Sequence, residues 1–465
     1  MAVSGVVQSI LSNLPEVAKP TQRKLGFNEK LKWTLIVLLL FFLLGLIPLF
    51  GLGTNSLQRF EILSIILGAE FGSIISLGIG PIVTASIVLQ LLNGSGLVKF
   101  DLTTTEGKSL FQGTQKALAI FFIIFEAFIY VSTGGLSPVP GVSTMILIFQ
   151  LFLGGMLIMF MDEVVSKWGF GSGLSLFIAA GVSKEIMVRF LSPLTSSKQL
   201  FFVSGESPVG ALWSIIYFIP QGINKDVLVA FFSIVATIAV FVIAVYAQSL
   251  KVEIPLSFGV VRGHGIRWPL SFVYTSNIPV ILIAALLASV QLWARLLERA
   301  GHPILGTFAG NTPATGIVSW ISAPRLLQQI IEQGSLLIGA RPYLQALVYV
   351  TVMIAGAVIF SIFWVQTAGM DAGSQARQIM ASGLLIPGFR RDERVLEHLL
   401  NRYINPLTVM GAITVGLLAA LADLSGALSH GTGILLTVMI IYRLYEEIAQ
   451  QHVMDMNPLM RRFMK

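Results

Sequence analysis

The chain has 465 residues, 55% of them hydrophobic and only 11% charged. Soluble globular proteins carry about 25% charge, so that class is excluded. With no cysteine, disulfides and thiolate metal sites are excluded too, and a net charge of +7 reads as basic cytoplasmic loops before it reads as a nucleic-acid site.

The stretch 1–20 lacks the basic start of a cleavable signal peptide and carries Pro15 and Glu16. Val6, Val7, Ile10, Leu11 and Leu14 fall at helical spacing, which fits a surface helix or a packing segment equally. Apolar runs near the ~20 residues that cross a hydrocarbon core of ~30 Å then recur along the whole chain. Ten spans are predicted, at about 33–52, 72–92, 114–134, 141–163, 172–192, 228–249, 270–292, 346–367, 406–425 and 430–449. Gly, Pro and charge mark the breaks, as at Asn93-Gly94-Ser95-Gly96 and Arg267-Trp268-Pro269. The fold class is an all-α polytopic membrane protein; segments of alternating polarity, the mark of a membrane β-barrel, do not occur.

Between the first two spans, Leu57–Glu70 is apolar enough to be buried and too short to cross. A broken helix at membrane depth needs protein or a water-filled cavity around it, so the segment belongs inside the bundle or flat at the interface. After it, Gly78-Ile79-Gly80-Pro81 places Gly and Pro at the start of a spanning helix. Glu126, within FFIIFEAFIYV, is the one clear mid-span charge, a functional residue or a hydrogen-bonded packing residue.

With the N-terminus inside, cytoplasmic segments hold Lys30, Lys99, Lys167, Arg262, Arg267, Arg377, Arg390, Arg391 and Arg461, among others. Outer segments hold fewer, including Lys198, Lys225, Arg325 and Arg341, so both termini are expected in the cytoplasm. Long outer segments lie at about 193–227 and 293–345, and long cytoplasmic loops at about 250–269 and 368–405. Each is either functional or a solvated connector. Two five-helix halves, 1–192 and 193–465, follow from topology: an odd-numbered half inverts the second, although the halves share no convincing sequence similarity.

SLGIGPIVTASIVLQLLNGSG (76–96), DEVVSKWGFGSGLSLFIAAGVS (162–183) and VYTSNIPVIL (273–282) resemble, in order, signatures of the SecY family of protein-conducting channels. FWVQTAGMD (363–371), PGFRR (387–391) and GTGILLTVMIIYRLYEE (431–447) extend the match, which is closest to archaeal members and also resembles the eukaryotic α-subunit. The resemblance implies a ten-helix hourglass in the plasma membrane, in two inverted five-helix halves. An apolar ring of Ile79, Val83, Leu174, Ile178, Ile281 and Leu436 closes its waist; Leu174 stands where the family pattern has Ile. A plug carries Leu57, Phe60, Ile62, Leu63 and Ile66. A lateral gate opens between the second and third helices and the seventh and eighth, with a polar cluster of Thr84, Glu126 and Ser289. Arg262, Arg267, Arg390 and Arg391 would dock a ribosome, since the planar guanidinium pairs with two phosphate oxygens. The positive-inside bias explains the same arginines without a ribosome. The implied partners are a SecE-type γ-subunit, a small β-subunit, the ribosome, signal sequences, nascent polypeptides and the lipid bilayer; no cofactor is implied.

Other function classes fare worse. Gly107-Lys108-Ser109 resembles the end of a P-loop, but Leu102 stands where its first glycine belongs. No nucleophile–base constellation supports an enzyme. A secondary transporter shares the helix number and the broken helix, yet keeps several intramembrane charges. A membrane insertase is compatible with a channel that opens sideways.

Overall fold

Inside a bilayer each backbone N–H and C=O needs a partner within the protein, so long apolar runs fold as helices. The structure, a computed structural model, describes residues 14–21, 25–55, 69–94, 97–98, 100, 104–195, 197, 199–258, 265–275, 278–299, 301–309, 312–324, 326–335, 339–381, 384–385, 392–429 and 431–456. Its long helices are α1 Phe27–Leu46, α2 Gly80–Gly94, α3 Thr105–Ser132, α4 Thr144–Trp168, α5 Gly173–Leu191, α6 Asn224–Ser249, α7 Ile278–Arg299, α8 Ala340–Thr367, α9 Glu393–Leu424 and α10 Gly431–Met456. Shorter helices, named by range, include Phe201–Ser204, Ala211–Phe218 and Ala372–Ala381. Short strands are β1 Leu52–Asn55, β2 Leu136–Pro138, β3 Lys251–Phe258, β4 Gly265–Ser271, β5 Phe308–Ala309, β6 Thr312–Pro313 and β7 Leu384–Leu385.

Among the described residues, six helices (α3, α4, α6, α7, α8 and α9) are long and apolar enough to cross a membrane, against the ten spans expected. The shortfall has visible causes. α2 has 15 residues, fewer than the ~20 a crossing needs. The others carry charges: Glu29, Lys30 and Lys32 in α1; Lys184, Glu185 and Arg189 in α5; Arg443, Glu446 and Glu447 in α10.

Two expected spans begin late. Residues 71–79 are turns and a bridge because serines take up the backbone groups. The Ser73 hydroxyl donates to the Glu70 carbonyl at 2.7 Å, and the Ser76 hydroxyl to the Ser73 carbonyl at 2.5 Å. Pro81 then falls in the first turn of α2, where its missing N–H has no helical partner to lose. β4 likewise occupies the start of the expected 270–292 span, and α7 begins at Ile278-Pro279.

The two long loops at about 250–269 and 368–405 are joined, not plain connectors. β3 pairs antiparallel with β4, and its far end pairs with β7 from the second loop. Ile254, Leu270 and Tyr274 pack with Ala376, Leu396 and Leu400. The Tyr274 hydroxyl donates to the Met370 carbonyl at 2.7 Å. Burial, with Asp371 nearby, pushes its pKa upward, so it stays a donor. The Gly107-Lys108-Ser109 triplet is the first turn of α3: the Thr104 hydroxyl accepts from the Gly107 N–H at 3.1 Å, an N-cap.

α2 touches α3, α7 and α8; α5 packs on α10, and α8 on α9. Where the segment before α2 crosses α4, only glycine fits: a Cβ on Gly154 would stand 1.9 Å from the Ile74 carbonyl oxygen.

Candidate functional site

The six ring candidates come from four parts of the chain and all belong to its main apolar core. Ile79, Val83, Ile178, Ile281 and Leu436 are buried in a single apolar cluster, and Leu174 packs half-buried against it. The Val83 N–H donates to the Ile79 carbonyl at 3.0 Å, so these two share a face, as Leu174 and Ile178 do on α5. Asp162 at the end of α4 fixes the start of α5: its carboxylate accepts from the Leu174 N–H at 2.9 Å. The cluster takes in residues from all ten long helices, among them Phe41, Ile158, Val240, Met353 and Val415, so the six are a small part of a larger apolar junction. Aliphatic walls offer a passing group no hydrogen bond and exclude ions and water by dewetting.

Two seams run from this junction. At the front, α2 and α3 face α7 and α8. The Thr84 hydroxyl donates to the Gly80 carbonyl at 2.9 Å and to Glu126 Oε1 at 3.4 Å. Gln115 Nε2 donates to the Ser86 hydroxyl at 2.6 Å, a second tie between α2 and α3. Ser289 is half-buried on α7 and makes no hydrogen bond with Thr84 or Glu126 among the described residues. What crosses this seam is apolar: Ala288, Leu292 and Leu296 pack with Ile123, Ala127 and Tyr130, and the Phe125 and Trp293 rings lie 6.2 Å apart.

At the back, α5 meets α10 through a buried polar contact that sequence reasoning missed. The Ser429 hydroxyl donates to Glu185 Oε2 at 2.5 Å, and Arg189 Nε lies 2.7 Å from Glu185 Oε1. Gly433 brings α10 onto Val182, whose Cγ2 would lie 3.2 Å from an added Cβ. Nearby, Asp423 Oδ2 accepts from the Tyr349 hydroxyl at 2.5 Å and Oδ1 from the Thr432 N–H at 2.8 Å; the Thr432 hydroxyl also donates to it. Glu185 and Asp423 are thus buried carboxylates in addition to Glu126; for Asp423 its place in the apolar helix α9 was the available signal, whereas Lys184 and Arg189 mask Glu185 in α5.

Two flanking segments are anchored. The plug candidates Leu57, Phe60, Ile62, Leu63 and Ile66 lie outside the described residues, but the chain just after them is held: Glu70 pairs with Lys184 of α5, and the Leu49 N–H donates to the Gly72 carbonyl at 2.9 Å. Of the helically spaced N-terminal residues, Val6, Val7, Ile10 and Leu11 also lie outside the described residues. Residues 16–18 are tied to α4: the Val17 N–H donates to Glu163 Oε2 at 2.8 Å, Lys167 to Glu16 Oε1 at 2.5 Å, and Trp168 Nε1 to the Ala18 carbonyl at 2.9 Å. The Lys167 hydrogen bond holds the Glu16 carboxyl below its usual range. Arg262, Arg390 and Arg391 lie outside the described residues; of Arg267 only the backbone is described, opposite Pro255 on β3.

A sequence profile described as SecY matches residues 73–445. The protein translocase subunit SecY of Methanothermobacter thermautotrophicus is 46% identical over 461 residues, covering 98% of each chain. A solved structure of a SecY protein, whose plug domain stabilises the closed state of its translocation channel and maintains a membrane seal, is similar with a TM-score of 0.79. It is 41% identical and covers 96% of this chain and 97% of its own. Sec61 in the canine ribosome-channel complex from the endoplasmic reticulum is similar with a TM-score of 0.78, at 41% identity and the same coverage of 96% and 97%. A match of this identity over nearly the full length of both chains carries the assignment: the chain belongs to the SecY family.

Proposed function

We propose that the chain is the central pore-forming subunit of a Sec translocon, which conducts unfolded secretory polypeptides across the membrane and releases hydrophobic segments sideways into the bilayer. The observation that carries this reading is the near full-length match to SecY proteins; the apolar ring of Ile79, Val83, Leu174, Ile178, Ile281 and Leu436 is consistent with it, since all six belong to the main apolar core. Aliphatic side chains can rearrange around a moving chain and close behind it without offering it a hydrogen bond. The plug at 57–70 seals the pore from the outer side; the fixed segment 69–79 gives it an anchored end.

The ten helices are read as ten spans in two inverted halves, 1–192 and 193–465. The neighbour pattern supports this. In the first half α1 packs on α4 and α5, α2 on α3, α3 on α4, and α4 on α5. In the second, α6 packs on α9 and α10, α7 on α8, α8 on α9, and α9 on α10. Adding five to each helix number turns the first set into the second. The contacts α2–α7 and α5–α10 map onto themselves, as expected beside a two-fold axis. Short and charged helices such as α2 and α5 are tolerable because protein surrounds them.

The lateral gate is the front seam. Thr84 and Glu126 lie on the same side of it, so their bond holds α2 and α3 together as one leaf while the apolar contacts to α7 part. Both termini and the sheet β4–β3–β7 face the cytoplasm by the bias of basic residues, in a plasma membrane. The ribosome docks on these loops through Arg262, Arg267, Arg390 and Arg391, as Sec61 sits in a ribosome-channel complex. A γ-subunit and a small β-subunit complete the heterotrimer.

The test is a photo-crosslinking residue at Leu436, presented with a ribosome carrying a stalled secretory chain. A crosslink to the hydrophilic part of that chain is expected, while the same probe at the exposed Ile441 on α10 stays silent. Silence at Leu436, Ile79 and Ile281 in a ribosome-bound complex removes the ring and reopens the secondary-transporter reading.

A further inference from the structure

The connection between α5 and α6 is apolar where a solvated loop would be polar. Between Gln199 and Asn224 the only charged residue is Glu206. Phe202 and Val203 are 72% and 80% exposed, and Ile216 and Ile219 are 51% and 61% exposed. These residues belong to one packed unit. The Phe201 ring lies 5.6 Å from Trp213 and 6.2 Å from Tyr217, and Phe202 lies 6.1 Å from Trp213, so Phe201–Ser204 and Ala211–Phe218 are pressed together.

The polar tips of this unit turn inward. Trp213 Nε1 donates to the Leu191 carbonyl at 3.0 Å, the Tyr217 hydroxyl to the Gly205 carbonyl at 2.5 Å, and the Ser214 hydroxyl to the Pro208 carbonyl at 2.8 Å. A loop made for water would turn these groups outward and its apolar faces inward. Here the reverse holds, the arrangement that an apolar medium requires.

The backbone sets the depth. The Gly210 N–H donates to the Ser192 carbonyl at 3.0 Å, which ties the unit to the end of α5. A tight turn follows Ala211–Phe218, with the Gln221 N–H on the Phe218 carbonyl at 3.1 Å, and the helix packs back along α6. It therefore lies beside the first turns of α6, at their depth. Only 6% of the apolar window of α6 is buried, so lipid is its natural surrounding. Its 26 residues rise about 39 Å. That exceeds a hydrocarbon core of ~30 Å and leaves its ends in the interfacial layers.

We propose that residues 201–223 form a lipid-binding wedge, seated in the interfacial layer of the leaflet at the C-terminal end of α5 and continuous with the lipid-facing surface of α6. Phe202, Val203, Ile216 and Ile219 enter the boundary of headgroups and acyl chains, with Trp213 and Tyr217 at the level where such rings concentrate in membrane proteins. The wedge gives the junction between the halves a fixed grip on the bilayer. That this leaflet is the outer one rests on the orientation proposed above.

The chain has no cysteine, so a single introduced cysteine is a unique label site. Phe202→Cys, Val203→Cys, Ile216→Cys and Glu206→Cys are spin-labelled in the full heterotrimer, in nanodiscs of phosphatidylcholine and phosphatidylglycerol. Collision with oxygen is compared with collision with a water-soluble nickel chelate. The wedge requires a several-fold higher oxygen-to-nickel ratio at the three apolar positions than at Glu206→Cys. Nickel access equal to that at Glu206→Cys overturns it in favour of a solvated loop. Protection from both reagents overturns it in favour of a protein partner. A membrane-impermeant maleimide on sealed vesicles reports the side separately: labelling of Glu206→Cys only from within breaks the orientation and leaves the depth pattern standing.

Discussion

The front and back seams join the same halves with opposite chemistry. Across the front, Phe125 meets Trp293, and Ile123 and Ala127 meet Ala288 and Leu292. Across the back, the Ser429 hydroxyl reaches Glu185, which also pairs with Arg189 of its own helix. Lipid chains and a hydrophobic peptide are as apolar as the front seam, so parting it and filling it with either costs little. Parting the back seam takes the buried Ser429 hydroxyl from Glu185 in a dry setting and leaves the carboxylate to Arg189 of its own helix, which is costly. The difference supports the proposal that the front is the side that opens and the back the side that pivots.

The largest expected effect comes from removing the clasp. Glu185→Ala should destabilise the chain by on the order of 3 kcal/mol, because the buried Ser429 hydroxyl loses its charged acceptor. Thermal unfolding in detergent measures it; an unchanged midpoint means that the back seam does not depend on Glu185. Gly154→Val comes next. The close approach of Ile74 leaves no room for a side chain, and overpacking of this kind costs about 1–3 kcal/mol. The same unfolding assay reads it, and a neutral result would show that the strut leading into α2 is loose.

Trp293→Ala should lose about 1 kcal/mol of aromatic contact and yet open the front more readily. In an insertion assay with segments of graded leucine content, the variant should release less hydrophobic segments into the bilayer; an unmoved threshold breaks the assignment of the gate. The smallest effect is at the N-terminal tether. The Glu16 carboxyl titrates below its ordinary value, so its contribution is present above the ordinary carboxylate range and is lost as pH falls through the lowered one. A fluorophore at Ala18→Cys should report release of this segment only on acidification, and Glu16→Gln should remove that pH response.

Much of this was legible in the sequence, and what was missed has a common cause. Apolar runs and Gly-Pro breaks located the long helices, and Pro81 marked the first turn of α2. The start of α7 was misplaced because Leu270 and Ser271 read as the beginning of an apolar span, although they belong to β4, whose partner β3 lies in the same loop. Glu126 stood out as a charge amid phenylalanines. Glu185 did not, since Lys184 and Arg189 beside it read as an ordinary helix end, and its partner Ser429 lies 244 residues away. Local patterns report burial and periodicity; they do not report which distant hydroxyl meets a carboxylate.

The two seams can be compared in one preparation, since the chain has no cysteine of its own. Phe125→Cys with Trp293→Cys, bridged by a short bismaleimide, locks the front; Val182→Cys with Gly433→Cys, oxidised to a disulfide, locks the back. In proteoliposomes given a ribosome-bound chain with a hydrophobic segment, locking the front should abolish release of the segment into lipid, and locking the back should leave it intact. Release that survives the front lock and fails with the back lock would contradict the assignment of gate and pivot.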